Sequence, residues 1–434
     1  MNNASPSFSE LINRRNELLA PCFAQDWPNV PTERAEGVYL YDNDGKRYLD
    51  FLSGFGACNL GHNHPVVLNA AREQMERMVH APIGVSTPES ALRLAWELGK
   101  IAPGEIDMFF FGNSGGEAID GAVKLARYVT GRPGIIAFIG GFHGRTMGAT
   151  ALTTSKAIYR TGHRPLLPEI YFARFPYLFR SSKKTPKECI QESLEEIDYI
   201  FEYLISPKEV AAILVEPVQG EGGYVIPPFG FLPAIQEICN QHGILLILDE
   251  VQTGFGRTGE IFAADTFNII PDILCLAKGI ANGFPLGAIA APKELMIKWG
   301  GTSHGTTFGG NPISCAAALA TIEVLQNGDI LKNSRQHGEF LLNRLRRLKG
   351  KCAIVGDVRG IGLMVAVEFI QPGTSNKPNP EAVKRILQYA LEAGLILYPC
   401  GHWSQTIRLI PPLIITNEQL EEGLTIFEQA VLRV

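Results

Sequence analysis

The chain has no C-x-x-C pair. Its eight cysteines are scattered, a spacing that suits neither a zinc site nor a disulfide framework. Several, such as Cys275 in ILCLA, sit in apolar runs as small hydrophobes. Basic charge is not in excess either: 39 Lys and Arg face 44 Asp and Glu, a net charge of -5. That argues against nucleic acid as the main partner, since phosphate backbones call for a basic footprint. Small anionic ligands stay open, because they need only a few local cations. No apolar run approaches a membrane span, and the opening MNNASPSFSELINRR lacks a stretch of signal-peptide type. No metal is expected and no membrane partner. The chain reads as reduced, soluble and cytoplasmic. There is no internal repeat, and the one weakly biased stretch, SSKKTPKE at 181–188, reads as a surface loop.

What is present is a core. The 434 residues are 46% hydrophobic and 19% charged, enough for a large globular interior. DMFFF (107–111), GIIAF (134–138), VAAILVE (210–216) and ILLILDE (244–250) are apolar strands without polar alternation. Helical patterns lie between them. One begins near Glu117, another carries Ile190, Leu194, Ile197 and Leu204, and FLPAIQEICNQHG ends at Gly243. Such alternation predicts an α/β fold with a mostly parallel sheet covered on both faces. This large domain is placed at 65–325. A smaller α+β domain is placed at 326–434, with strands GLMVAVEF, LILYP and TIRLI and a closing helix capped by Thr416 and Gln419. The N-terminal segment 1–64, with YLYDNDGKRYLDF as a turn between two strands, is expected to join it.

Ligands of open parallel sheets gather at the carboxyl ends of the strands. Asp249 ends one apolar run there, and Lys278 follows another in DILCLAKGI. Either alone reads equally well as a strand-end charge reaching solvent. Together on successive strands they read as a pair, since a buried carboxylate needs a cationic or protonated partner. GNSGG (112–116) joins a strand to a helix and offers free N–H groups to a phosphate. GGFHGRT (140–146) supplies Phe142, His143 and Arg145, an aromatic beside glycines that could lie over a flat ring. Two patterns are set aside. GFGRTG (254–259) matches the dinucleotide fingerprint but stands away from its strand, and His62 and His64 in GHNHP lack further partners at ligand spacing.

The chain resembles the class III aminotransferases, the group of 4-aminobutyrate, ornithine and acetylornithine aminotransferases. ILDEVQTGFGRTG, LAKGIANGFPLGA, EPVQGEGG, FHGRT and TTFGGNP carry the likeness, which runs from about Gly37 to Pro412. The resemblance implies the pyridoxal-phosphate fold type I. It implies Lys278 as the Schiff-base lysine that later shuttles the proton, and Asp249 as the acid facing the pyridinium nitrogen. Phe142 and Val251 would sandwich the ring, and Gln252, oriented by Glu216, would bond the phenolic oxygen. Gly115 and Gly116 would bind the phosphate, with Ser114 and His143 also at the cofactor. Thr307 would reach it from the neighbouring subunit, making a homodimer or dimer of dimers with shared sites.

Arg145, Glu221, Arg408 and Phe55 would set specificity. The Arg408 counterpart clamps the alpha-carboxylate of glutamate or 2-oxoglutarate, Glu221 pairs with it otherwise, and Arg145 holds the distal carboxylate. Phe55 stands where ornithine-specific relatives tend to carry tyrosine. The implied activity is ping-pong transfer of the omega-amino group of a small, 4-aminobutyrate-like amino acid to 2-oxoglutarate. Racemisation or 2-epimerisation on the same scaffold is the alternative, with acetylornithine or ornithine as other donors. Intact Glu221 and EVQTG favour transamination.

Overall fold

A computed structural model describes residues 5–23, 29–183 and 185–434. At its centre is a seven-stranded sheet. In chain order the strands are Ile106–Gly112 (β1), Gly134–Ile139 (β2), Ile170–Arg174 (β3), Val210–Val215 (β4), Leu245–Asp249 (β5), Ile273–Leu276 (β6) and Gly287–Pro292 (β7). Their spatial order is β1-β7-β6-β5-β4-β2-β3. β7 pairs antiparallel with both neighbours, and every other pairing is parallel. Every residue of β4 is buried, so that strand has no solvent face and needs helices on both sides. Along β2, alternate residues enter different cores: Ile136 and Phe138 face one, Ile135 and Ala137 the other. The carboxyl ends of the parallel strands therefore converge on one edge.

Local capping sets where the helices begin. The helix expected from Glu117 spans Gly115–Thr130, because Ser114 caps it by accepting from the Glu117 amide at 3.2 Å. The stretch 181–188 is only partly loop. Thr185 and Glu188 form a capping box that starts the Pro186–Tyr203 helix, while Lys184 lies outside the described residues. Gly243, left-handed at φ 60, ends Phe231–His242, and Thr416 with Gln419 opens Asn417–Leu432.

Two smaller sheets flank the first. Val355–Ile361, Met364–Phe369, Thr406–Leu409 and Tyr398–Cys400 make an antiparallel sheet. LILYP is not one strand. Leu395–Ile396 pairs in parallel with Arg47–Asp50 of the N-terminal hairpin, and Tyr398–Cys400 joins the other sheet. Of the segment 1–64, residues 1–4 and 24–28 lie outside the described residues. Among the described residues no helix is long and apolar enough to cross a membrane. All eight cysteines are free thiols.

The GFGRTG stretch turns out to be a fastener. Arg257 is fully buried and donates to Leu363 O at 3.1 Å, Pro411 O at 2.6 Å and Asn59 Oδ1 at 2.7 Å. It thus ties the loop after β5 to chain segments from both ends of the sequence. Gly256 at φ +87 lets the turn close, since a Cβ there would sit 2.8 Å from Leu413 Cδ1. Removing the guanidinium strands three buried acceptors. Arg257→Ala is expected to cost about 3–5 kcal/mol in urea unfolding; a loss below about 1 kcal/mol would show that those acceptors find other donors.

Candidate active site

Asp249 is the last residue of β5, and Lys278 lies just past the end of β6, the adjacent parallel strand. The loops after β1, β2 and β4 bring Gly115, Phe142 and Glu216 to the same edge. Together they enclose a cavity of about 490 Å³. Of the residues singled out from sequence, all but Thr307 and Arg408 line it.

Asp249 has a partner in His143, whose Nδ1 lies 2.7 Å from Oδ2, with both side chains almost wholly buried. The other carboxylate oxygen accepts the Val251 amide at 3.1 Å. Burial pulls the imidazole pKa down, but the hydrogen bond and charge of Asp249 outweigh it, and the net shift is upward. Glu216 accepts the Phe142 amide at 2.9 Å and the Gly220 amide at 2.9 Å, and burial lifts it to about 7. The neighbouring Glu250 is structural. It accepts from Thr253 Oγ1 at 2.7 Å and from the Ala263 and Ala264 amides, so the two acids of LDE serve opposite sides.

Gly115 and Gly116 are the first residues of their helix, where N–H groups have no intrahelical acceptor. Their missing side chains matter: a Cβ on Gly115 would lie 2.8 Å from Val251 Cγ1. Glu117 turns back to accept the Asn113 amide at 3.0 Å and its Nδ2 at 2.9 Å, fixing the loop. Such an amide-lined helix start fits a phosphoryl group. Lys278 has left-handed backbone, φ 49, and its amine makes no hydrogen bond among the described residues. Burial lowers its pKa, which favours the nucleophilic free amine. Gln252 departs from expectation. Its Nε2 donates to Phe55 O at 3.1 Å, its Oε1 is buried without a partner, and it makes no hydrogen bond to Glu216. Glu216 orients the Phe142 and Gly220 amides instead. An orphaned acceptor, a carboxylate–imidazole pair, a free amine and a phosphoryl cradle on one cavity fit a phosphorylated heterocyclic aldehyde.

The far end of the cavity carries charge. Glu221 lies 2.6 Å from Arg408 Nη1, and Arg408, fully buried, donates from Nη2 to Pro399 O at 2.9 Å. Burial alone would raise the Glu221 pKa, yet Arg408 holds it below the usual carboxylate value. Arg408 is therefore behind Glu221 rather than on the cavity wall. Phe55, at φ 61, meets Tyr398 edge to face at 5.0 Å. Thr307 is exposed and lies off the cavity within one chain, whereas Thr306 Oγ1 accepts Asn113 Nδ2 at 3.3 Å. His62, one of the metal-like histidines, lies 2.8 Å from Asp50, and no cluster of three or more ligating residues occurs among the described residues. Tyr159 and Tyr398 line the cavity without any sequence signal, one on an irregular turn and one on a short strand. The His143–Asp249 contact was equally hidden, since 106 residues separate the two.

Residues 23–431 match the family described as Aminotransferase class-III. An alanine/serine racemase of Pyrococcus horikoshii is 39% identical over 98% of this chain and 90% of its own. A 5-aminovalerate aminotransferase of Pseudomonas aeruginosa is 39% identical over 98% of both chains. A 4-aminobutyrate aminotransferase of Mycobacterium bovis is 38% identical over 97% of this chain and 95% of its own. Among solved structures, a taurine:2-oxoglutarate aminotransferase of Bifidobacterium kashiwanohense, in complex with PLP and glutamate, superimposes with a TM-score of 0.92 at 29% identity, covering 99% of both chains.

The His143 shift has a pH signature. Because its folded pKa is raised, the stabilisation is complete below the unfolded value of about 6.5 and is lost as pH rises through the folded value. His143→Ala is expected to cost about 3–5 kcal/mol near pH 6. In urea titrations the gap to the unaltered protein should narrow towards pH 9; a gap independent of pH would refute the charged pair.

Proposed function

We propose that this chain, which belongs to the class-III aminotransferase family, transfers the omega-amino group of a 4-aminobutyrate-like amino acid to 2-oxoglutarate in a ping-pong cycle. The observation that carries the reading is the Glu221–Arg408 pair at 2.6 Å beside a cavity that also holds Arg145. With the pair closed, Arg145 is the available cation and a donor with one distal carboxylate fits. With Glu221 displaced, Arg408 gains two N–H donors for an alpha-carboxylate.

The cofactor in this reading is pyridoxal 5'-phosphate, which supplies an electron sink for the negative charge left when the substrate loses a proton. Lys278 Nζ would hold its aldehyde carbon and afterwards carry the proton. Asp249, steadied by His143, would face the ring nitrogen and favour its cationic form. The amides of Gly115 and Gly116, with Ser114 at the cap, would bind the phosphate. Phe142 and Val251 would close on the ring faces, and Gln252 would meet the ring hydroxyl. Thr307, off the cavity in one chain, would act from the partner subunit of a homodimer. Phe55 gives the donor's chain an apolar wall, which weighs against ornithine. The chain would work in the cytoplasm, with 65–325 as cofactor domain and 1–64 and 326–434 together as the smaller one.

The likeness to an alanine/serine racemase keeps one second reading in play. A racemate forming from L-alanine without any keto acid would replace transamination by that activity.

Two variants test the assignments. Lys278→Ala is expected to lower turnover by at least about 10²–10⁴-fold, the share proton transfer alone supplies, with the fold retained by circular dichroism. Near-normal turnover would defeat the role. Arg408→Ala should raise KM for 2-oxoglutarate about 30-fold or more while moving that for 4-aminobutyrate about threefold at most, read from the two half-reactions separately. Equal losses in both would count against the switch.

A further inference from the structure

Arg145 makes no ion pair and no hydrogen bond among the described residues. What it touches is aromatic. Its guanidinium carbon lies 3.9 Å from the centroid of Tyr159 and 5.3 Å from that of Phe142. Those two rings meet edge to face, 5.6 Å apart at 77°. A ring face attracts the cation without using its N–H groups, whereas a carboxylate consumes them. The contrast with Arg408 is direct, because Glu221 already occupies that guanidinium.

Tyr159 is well placed to hold such a cation. It ends the short turn Ala157–Tyr159 and lines the cavity. The turn is tied on both sides: Lys156 Nζ donates to Ser404 Oγ at 2.6 Å, and Arg160 Nη1 donates to Ala151 O at 3.1 Å. Burial, reinforced by Glu221, raises the phenol pKa, so the ring stays neutral. A neutral, fixed face and an arginine with unspent donors form one device.

We propose that Tyr159 is a specificity-determining positioning residue, whose ring holds Arg145 with its N–H groups free for a carboxylate remote from the reacting amine. The proposal deepens the omega-aminotransferase reading and rests on it for the identity of the donor. It predicts that the ring, and not the hydroxyl, tunes affinity for a distal carboxylate, and that it acts only through Arg145.

Glutarate, which has neither amine nor carbonyl to react, is the probe, titrated into the holoenzyme by calorimetry. Tyr159→Leu should weaken its binding about fivefold, the worth of a partly exposed cation–ring contact. Tyr159→Phe should restore affinity to within about twofold. In an Arg145→Ala background, Tyr159→Leu should add no further loss. For 4-aminobutyrate the same leucine variant should raise KM by about the same factor, with kcat moving less than about twofold. Tyr159→Gln serves as a second truncation should the leucine variant fail to fold. A loss shared by Tyr159→Phe, or one that persists without Arg145, overturns the proposal. If the glutarate pattern holds but 4-aminobutyrate is not turned over, the donor assignment fails and the role of Tyr159 stands.

Discussion

The side chain of Asp249 ends an apolar strand at 4% exposure, where a carboxylate without partners would cost several kcal/mol. Two groups answer that cost: His143 meets one oxygen and the Val251 amide meets the other. His143 in turn needs its loop held, which Thr153 Oγ1 does by accepting the His143 amide at 2.9 Å. Glu216 braces the same loop through the Phe142 amide. The turn after β2 is thus shaped by a carboxylate on β5, and the aromatic wall it carries follows.

Two arginines near the cavity both lie over aromatic rings, and they differ in that only Arg408 is already paired with a carboxylate. Arg408 is buried and paired with a carboxylate, so any ligand that uses it must first displace Glu221. Arg145 rests against ring faces, so its donors are available at once. In the proposed cycle this ordering lets one cavity accept a donor with a single remote carboxylate and an acceptor with two. Lys278 lines the same cavity, and burial lowers its amine pKa, the direction that favours the uncharged amine.

The edge on which all this stands is kept together by Arg257. Its three hydrogen bonds join the loop after β5 to Asn59, Leu363 and Pro411, drawn from distant parts of the chain. Gln252 lies in that same loop and reaches Phe55 O. Segments that supply cavity walls are therefore fastened to the strand that supplies the acid, through one buried cation and the glycine turn beside it.

The mostly parallel sheet was legible in the chain itself, because an apolar run such as VAAILV, without polar alternation, is buried on both faces. The strand-end placement of Asp249 and Lys278 followed from it, as did the glycine turn at 115–116 that opens a helix. GAIAAP was not legible as a strand, since small residues without alternation carry no period of two. LILYP could not be seen to divide between two sheets, because Leu395–Ile396 pairs with Leu49 and Asp50, 346 residues away, while Tyr398–Cys400 pairs with the nearby Thr406–Leu409. The family resemblance already implied the Glu221–Arg408 pair, but the chain could not reveal that His143 answers Asp249 or that Tyr159 lies under Arg145. Burial pattern is a local property of a strand or helix and is written in neighbouring residues. Which charged groups end up in contact depends on how separated segments pack, and only the assembled fold sets those distances.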